Sequence, residues 1–159
     1  MHMKVSWKVY AVFILLTEAV GGLSGFLTRE GVALYQTEII KPALNPPAMV
    51  FPVVWSILYA LMGIGAARIW MAEPSKARTY GLAVFGVQLA VNFFWSIIFF
   101  NLQAFGFAAL WLMLLWLMIV AMILLFRRVD RLAAWLQVPY LLWVTFAGYL
   151  NVMVWLLNS

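Results

Sequence analysis

Few residues in this 159-residue chain could do chemistry, and their types narrow the choice. There is no cysteine, which excludes disulfides, iron–sulfur clusters and a thiol nucleophile. The single histidine, His2, stands at the start of the chain, so no internal imidazole is present to hold a haem iron or zinc. Glu18 is the one carboxylate inside an apolar run, and no second acid or nucleophile shares its depth. Two roles stay open for it: the working group of a small transporter, or a protonated, hydrogen-bonded packing residue. Gln88, Asn92 and Ser96 are spaced four apart, so they share one helix face and need protein or a cavity beside them. The last group is Lys41-Pro42-Ala43-Leu44-Asn45-Pro46-Pro47, where three prolines stiffen the chain and Asn45 can cap the helix that follows. That arrangement would set Lys41 beside the positive end of a helix dipole. It reads either as a place for the carboxylate of an otherwise apolar ligand, or as a rigid turn with Lys41 snorkelling to headgroups.

The elements that must position these groups are membrane helices. Hydrophobic residues make up 67% of the chain and charged ones only 9%, against about 25% charged in a soluble domain. So few charges could not cover a soluble surface. There are 10 Lys and Arg against 5 Asp and Glu, a net charge of +5. The basic residues sit at the ends of apolar runs, so their partner is expected to be the lipid bilayer and not nucleic acid. Windows long enough to span run over 9–26, 50–71, 80–100, 105–126 and 132–157. They predict an all-α integral membrane protein, a bundle of five transmembrane helices forming one domain over 1–159. The break at 101–104 carries no charge, but an unbroken 80–126 would be far too long for one crossing. Lys4, Lys8, Arg68, Lys76, Arg78, Arg127, Arg128 and Arg131 fall on one side of such a bundle, and only Arg29 and Lys41 on the other. The positive-inside rule then places the N-terminus in the cytoplasm and the C-terminus outside.

The spans are not equivalent. The 105–126 run carries no polar side chain except the indoles of Trp111 and Trp116, which predicts the most lipid-facing helix. The last run holds Tyr140, Thr145, Asn151 and Pro139; the proline frees the carbonyl of Trp135 and predicts a kink. No internal repeat is evident, which argues against an inverted-repeat transporter. Gly21-x-x-x-Gly25 is expected to pack within the bundle, and Ala83, Gly86 and Ala90, with Gly81, to form a face for a second copy; internal packing explains either set equally well. The long connection 28–49 carries Val32, Tyr35 and Ile39 at helical spacing, which predicts a short amphipathic helix lying as a lid over the bundle mouth.

Four stretches together resemble a known family. They are Lys41-Pro42-x-x-Asn45-Pro46-Pro47, Phe51-Pro52-x-x-Trp55-x-x-Leu58-Tyr59-x-x-Met62-Gly63, Gln88-Leu89-x-x-Asn92-x-x-Trp95-Ser96-x-x-Phe99-Phe100, and Pro139-Tyr140-Leu141-x-Trp143-x-x-Phe146-Ala147-x-x-Leu150-Asn151. In register over nearly the whole chain, they resemble the TspO/MBR family of tryptophan-rich sensory and translocator proteins. The resemblance implies a dimeric five-helix bundle with a pocket opening beneath the first loop. It also implies porphyrin ligands, notably protoporphyrin IX, with some members binding cholesterol and benzodiazepine-type drugs and some bacterial members degrading porphyrin in light. Carried over by position, the pocket would be lined by Tyr35, Trp55, Asn92, Trp95, Ser96, Trp143 and Ala147, with Lys41 and Asn45 at its rim.

The residue chemistry suits that implication. A tetrapyrrole is a flat apolar disc with two carboxylates, so it needs aromatic faces inside and cationic or dipolar groups at the mouth. Trp55, Trp95 and Trp143 can supply the faces, and Asn92 and Ser96 the hydrogen bonds, whereas Trp7, Trp70 and Trp155 read as packing or interface-belt indoles. Two departures weigh against degradation: Tyr35 and Leu44 stand where the family carries tryptophan. No basic residue follows Arg131, so sterol binding through the family's C-terminal motif is not expected, and the generic match Val32-x-x-Tyr35-x₅-Lys41 is weak. The leading expectation is a receptor- or transporter-like membrane protein with porphyrin as ligand, no required cofactor, and a homodimeric state. The rivals are a light- and oxygen-dependent porphyrin-degrading enzyme with Trp143 as candidate electron donor, and a small transporter working through Glu18.

Overall fold

The structure, a computed structural model, describes residues 6–159; His2 and Lys4 lie outside the described residues. Apolar runs bounded by charge or proline form the helices α1 (Trp7–Leu27), α2 (Arg29–Glu38), α3 (Val50–Met71), α4 (Lys76–Ser96), α5 (Phe105–Arg127), α6 (Arg131–Trp135) and α7 (Val138–Leu157). Five stretches are long and apolar enough to cross a membrane: α1, α3, α4 with a π-helical extension to Asn101, α5, and α6 together with α7. The uncharged boundary at 101–104 is a tight turn. Gln103 takes a left-handed conformation (φ 51°), and the Ala104 amide donates back to the Ile98 carbonyl at 3.2 Å. The lid helix expected from Val32, Tyr35 and Ile39 is α2, with Tyr35 buried beneath it.

The bundle corrects the expectation for α5. It is not the most lipid-facing helix: it packs on α4, α6 and α7 with Ala108, Leu112, Leu115, Ile119, Met122 and Phe126 buried along one face, and only its other face, with Leu110, Met113 and Leu117, is exposed. Its two indoles donate sideways, Trp111 Nε1 to the Val91 carbonyl (2.7 Å) and Trp116 Nε1 to the Thr145 hydroxyl (2.8 Å). The least buried span is α1, where only Thr17 and Ser24 are buried. In hydrocarbon an apolar side chain serves lipid and protein equally, so polarity alone does not sort helices; close approach and interhelical hydrogen bonds do.

Those devices are visible at α1. The Thr17 hydroxyl donates to the Tyr59 carbonyl (2.7 Å), and Gly21 lies under the Tyr59 ring. Gly25, expected to pack with Gly21, faces open space. The α1 backbone is instead met at Gly63 of α3, where a Cβ would stand 2.7 Å from Ile14 Cα and 2.9 Å from the Phe13 carbonyl carbon. Gly81 likewise leaves the outer face assigned to it and backs onto the Phe126 ring, whereas Ala83, Gly86 and Ala90 are exposed.

The final span breaks where Pro139 predicts. Helix α6 ends at Trp135 and α7 begins at Val138, with the proline in its first turn. At the break Gln137 is fully buried, and its Nε2 donates to the Leu61 (3.2 Å) and Ala133 (3.3 Å) carbonyls. Gly65 makes room for that amide, since a Cβ there would collide with it. At the same end Arg68 pairs with Asp130 and donates to the Tyr10 hydroxyl at 3.2 Å. Thus α3 is bolted to the last span at the arginine-rich end. Beyond the proline α7 packs on α5, and a seam opens between α3 and α7. Because Gly63 meets backbone and not a movable side chain, Gly63→Ala should lower stability by about 1–3 kcal/mol. Gly25→Ala should be neutral, and thermal unfolding in one detergent checks both.

Candidate ligand-binding site

The site is built from polar groups that hydrocarbon forces to find partners. Gln88 and Asn92, one turn apart on α4, are both buried. The Tyr59 hydroxyl donates to Asn92 Oδ1 (2.6 Å), Asn92 Nδ2 donates to the Tyr140 hydroxyl (2.7 Å), and that hydroxyl donates to Gln88 Oε1 (2.7 Å). The chain ends at Gln88 Nε2, 3.7 Å from the Met62 sulfur. It ties α3, α4 and α7 together. Each interhelical bond of this kind contributes about 0.6 kcal/mol on average, but the cost of leaving one unmade in lipid makes the pairing specific.

Aromatic rings sit on this chain. Trp55, one turn before Tyr59, stacks on its ring (centroids 5.6 Å, planes 29° apart) and meets Tyr140 and Trp143 edge-on at 6.2 and 6.5 Å. Phe51 meets Trp143 at 5.9 Å. In front of this wall the α3–α7 seam forms a laterally open cleft of about 510 Å³, lined by Val54, Ile57 and Leu58 on one side and Pro139, Leu142, Trp143 and Phe146 on the other. The Trp143 indole N–H is buried and has no hydrogen-bond partner among the described residues.

A second aromatic group lies under the lid. Trp95 stacks on Phe99 (5.1 Å, 29°) and donates through Nε1 to Asn151 Oδ1 (3.0 Å), while Asn151 Nδ2 donates to the Phe105 carbonyl (2.8 Å). Tyr35 rests against Phe99 and Phe100, rings that the π-helical extension of α4 presents, and its hydroxyl donates to Asn45 Oδ1 at 3.0 Å. Lys41 Nζ donates to the carbonyls of Tyr35 (2.9 Å), Gln36 (3.0 Å) and Ile39 (3.0 Å). It therefore closes the negative end of α2, where orphan carbonyls are within reach, and does not stand at the positive end of α3 or snorkel to headgroups. Helix α3 begins at Val50 with no side-chain cap, so Asn45 is a lid clasp and not a helix cap. The lid's far end is held by Asn158 at the end of α7, whose side chain exchanges two hydrogen bonds with the Ile40 backbone.

The expected lining residues thus divide. Trp55 and Trp143 meet at the seam, and Asn92 reaches it through Tyr59 and Tyr140. Tyr35 and Trp95 belong to the cluster beneath α2. Ala147 is buried one turn from Trp143 and one turn from Asn151, on the α7 face between the two groups. Ser96 is half-buried, and its hydroxyl makes no hydrogen bond among the described residues. Under α2 the Phe99 and Phe100 rings pack against Tyr35, and no residue of the lid lines the cleft. Glu18 is half-buried on α1, which packs on α3 and α4. Sequence reasoning missed Tyr59 and Tyr140 as site residues. Their signal was available: each lies one helical turn from a tryptophan, and Asn92 and Gln88 needed buried partners.

A five-span bundle with a docked connecting helix and an aromatic seam defines a multi-pass membrane protein of the receptor- or transporter-like kind. The chain belongs to the TspO/MBR family, whose family model matches residues 13–156. It is 41% identical to Protein CrtK of Rhodobacter capsulatus over 97% of this chain and 95% of that one. It is 39% identical to the tryptophan-rich protein TspO of Chlorobaculum tepidum over 93% of this chain and 94% of the relative. With the translocator protein of Bos taurus identity is 35%, covering 94% of this chain and 89% of the bovine one.

Burial pushes the Tyr35 hydroxyl up from its ordinary 10 to about 12. A raised folded-state value means that the docked lid favours the neutral phenol, so this contribution is whole below about pH 10 and is lost as pH rises through 12. Proteolytic cutting within 39–49 should accelerate over that window. Tyr35→Phe, which loses the bond to Asn45 at a cost of about 1 kcal/mol, should be cut several-fold faster at pH 7 and show a weaker alkaline rise.

Proposed function

We propose that this protein binds porphyrins, protoporphyrin IX and haem-type tetrapyrroles among them, and related flat apolar molecules in the α3–α7 seam, in a regulatory or transport role. The observation that carries this reading is the buried Trp143 N–H, unpartnered among the described residues, in an aromatic wall that borders a cleft of about 510 Å³. Pockets of small molecules are mostly apolar with a few placed polar groups, and their volumes run from about 300 to 1,000 Å³. An open seam admits a disc edge-on from the bilayer, with Trp143 donating to a ring or carboxylate acceptor and Trp55 backing it. Relatives named as sensory and translocator proteins support the receptor or transport role. The bundle's charge distribution supports a cytoplasmic N-terminus and an outer C-terminus, and the exposed Ala83, Gly86 and Ala90 support a homodimer through that face.

Degradation of the porphyrin is less favoured, because Tyr35 is clasped under the lid on Phe99 and Phe100, away from the seam. Transport through Glu18 is also less favoured, since no residue of α1 lines the cleft. Protoporphyrin IX should quench tryptophan fluorescence saturably, and Trp143→Phe should weaken binding by about fivefold or more. Unsaturable quenching, or a variant indistinguishable from the parent, would remove the reading. Under illumination the bound porphyrin should bleach no faster than free porphyrin; faster bleaching would favour the enzyme. Gly86→Leu should shift the protein from dimer to monomer in light-scattering measurements.

A further inference from the structure

A second cleft, of about 410 Å³, lies at the arginine-rich end, lined by Ile123, Arg127, Arg131, Ala134, Trp135 and Val138. Arg127 is the last residue of α5 and Arg131 the first of α6, so the turn between them opens the two side chains like a fork. Both are exposed, and among the described residues neither guanidinium has a hydrogen-bond or ion-pair partner. The one acid in the turn, Asp130, is taken by Arg68. Arg78, at the same end, is instead tied to the Ile69 and Trp70 carbonyls. No carboxylate lines the cleft, so its charge is uncompensated.

The rest of the lining is apolar and follows the helices into the membrane. Ile123 lies one turn inward from Arg127, and Ala134 and Val138 continue the floor toward α7. Trp135, one turn from Arg131, is 69% exposed, which suits an indole at the headgroup level. Two cations above an apolar trough fit a molecule with an anionic head and a hydrocarbon tail. A soluble anion would leave the trough unused, and a choline headgroup would bring its own cation against the fork.

We propose that this cleft is a binding site for one anionic phospholipid of the surrounding leaflet. Its phosphodiester sits between Arg127 and Arg131, which present planar donors matched to phosphate oxygens. One acyl chain lies along Ile123, Ala134 and Val138, and Trp135 flanks the glycerol. The seam between α3 and α7 is a separate place, and the proposal does not depend on what that seam binds.

The test uses the full chain in a neutral detergent, with phosphatidylglycerol and phosphatidylcholine of identical acyl chains offered in equal amounts and retained lipid read by native mass spectrometry. Phosphatidylglycerol should be preferred by at least about tenfold. The double variant Arg127→Gln/Arg131→Gln, altered only at exposed positions, should lose that preference to within about twofold. Arg128→Gln, on the same turn but outside the cleft, should keep it. Neither inorganic phosphate nor dihexanoyl phosphatidylglycerol at equal concentration should displace the long-chain lipid. Equal retention of the two lipids by the parent overturns the proposal, and this arm needs no variant. Loss of preference in Arg128→Gln, or displacement by inorganic phosphate, overturns it as well, since those outcomes indicate diffuse surface charge or a plain anion site.

Discussion

A polar group inside hydrocarbon has no water to turn to, and this bundle is arranged around that fact. The Tyr59–Asn92–Tyr140–Gln88 chain ties α3, α4 and α7 through three side-chain hydrogen bonds of 2.6 to 2.7 Å. Around it Thr17 binds α1 to α3, Trp111 binds α5 to α4, and Asn151 joins α7 to both Trp95 and the start of α5. Apolar faces alone would let helices slide or exchange lipid for protein at little cost. The buried donors and acceptors decide which helix touches which.

The seam follows from the same constraint. Gln137 anchors the break before Pro139 to the α3 backbone, while Asn151, Thr145 and the α5 contacts hold α7 away from α3 further along. Two helices bolted at one end and drawn to different neighbours beyond it leave a wedge between them. Trp143 lines the wedge, and Trp55 and Phe51 pack against its ring. In the proposed reading this wedge receives a flat ligand from the bilayer, and the Trp143 indole, a buried side-chain donor without a partner among the described residues, is what the ligand would complete.

Much of the architecture was legible in the chain. Arginines and lysines at run ends marked the spans, Pro139 marked the break, and the spacing of Val32, Tyr35 and Ile39 marked the lid helix. What stayed hidden shares one cause: in lipid, hydrophobicity carries no information about which face is inside. So α5, the least polar run, turned out to be packed between three helices, and α1, with its Glu18, the most exposed. Gly63, not Gly25, makes the close backbone contact, because that depends on the crossing point of two helices and not on a glycine repeat. Lys41 looked like a ligand group from its prolines and closes α2 instead, since the carbonyls that claim it belong to residues brought back by the turn. The candidate site was legible as a set of tryptophans and polar residues. Its division into a seam group and a lid group was not, because the division is set by tertiary contacts of Tyr59, Tyr140 and Phe99.

In the proposed reading a flat ligand sits in the α3–α7 wedge. Leu142 lines that wedge, is 65% exposed and takes no part in the buried polar chain, so Leu142→Trp fills the space and leaves the scaffold intact. Titration followed by the protoporphyrin IX Soret band measures the effect directly. The prediction is at least about a tenfold loss of affinity with unchanged helix content, in line with the cost of overfilling a packed site; an affinity equal to the parent's would contradict it.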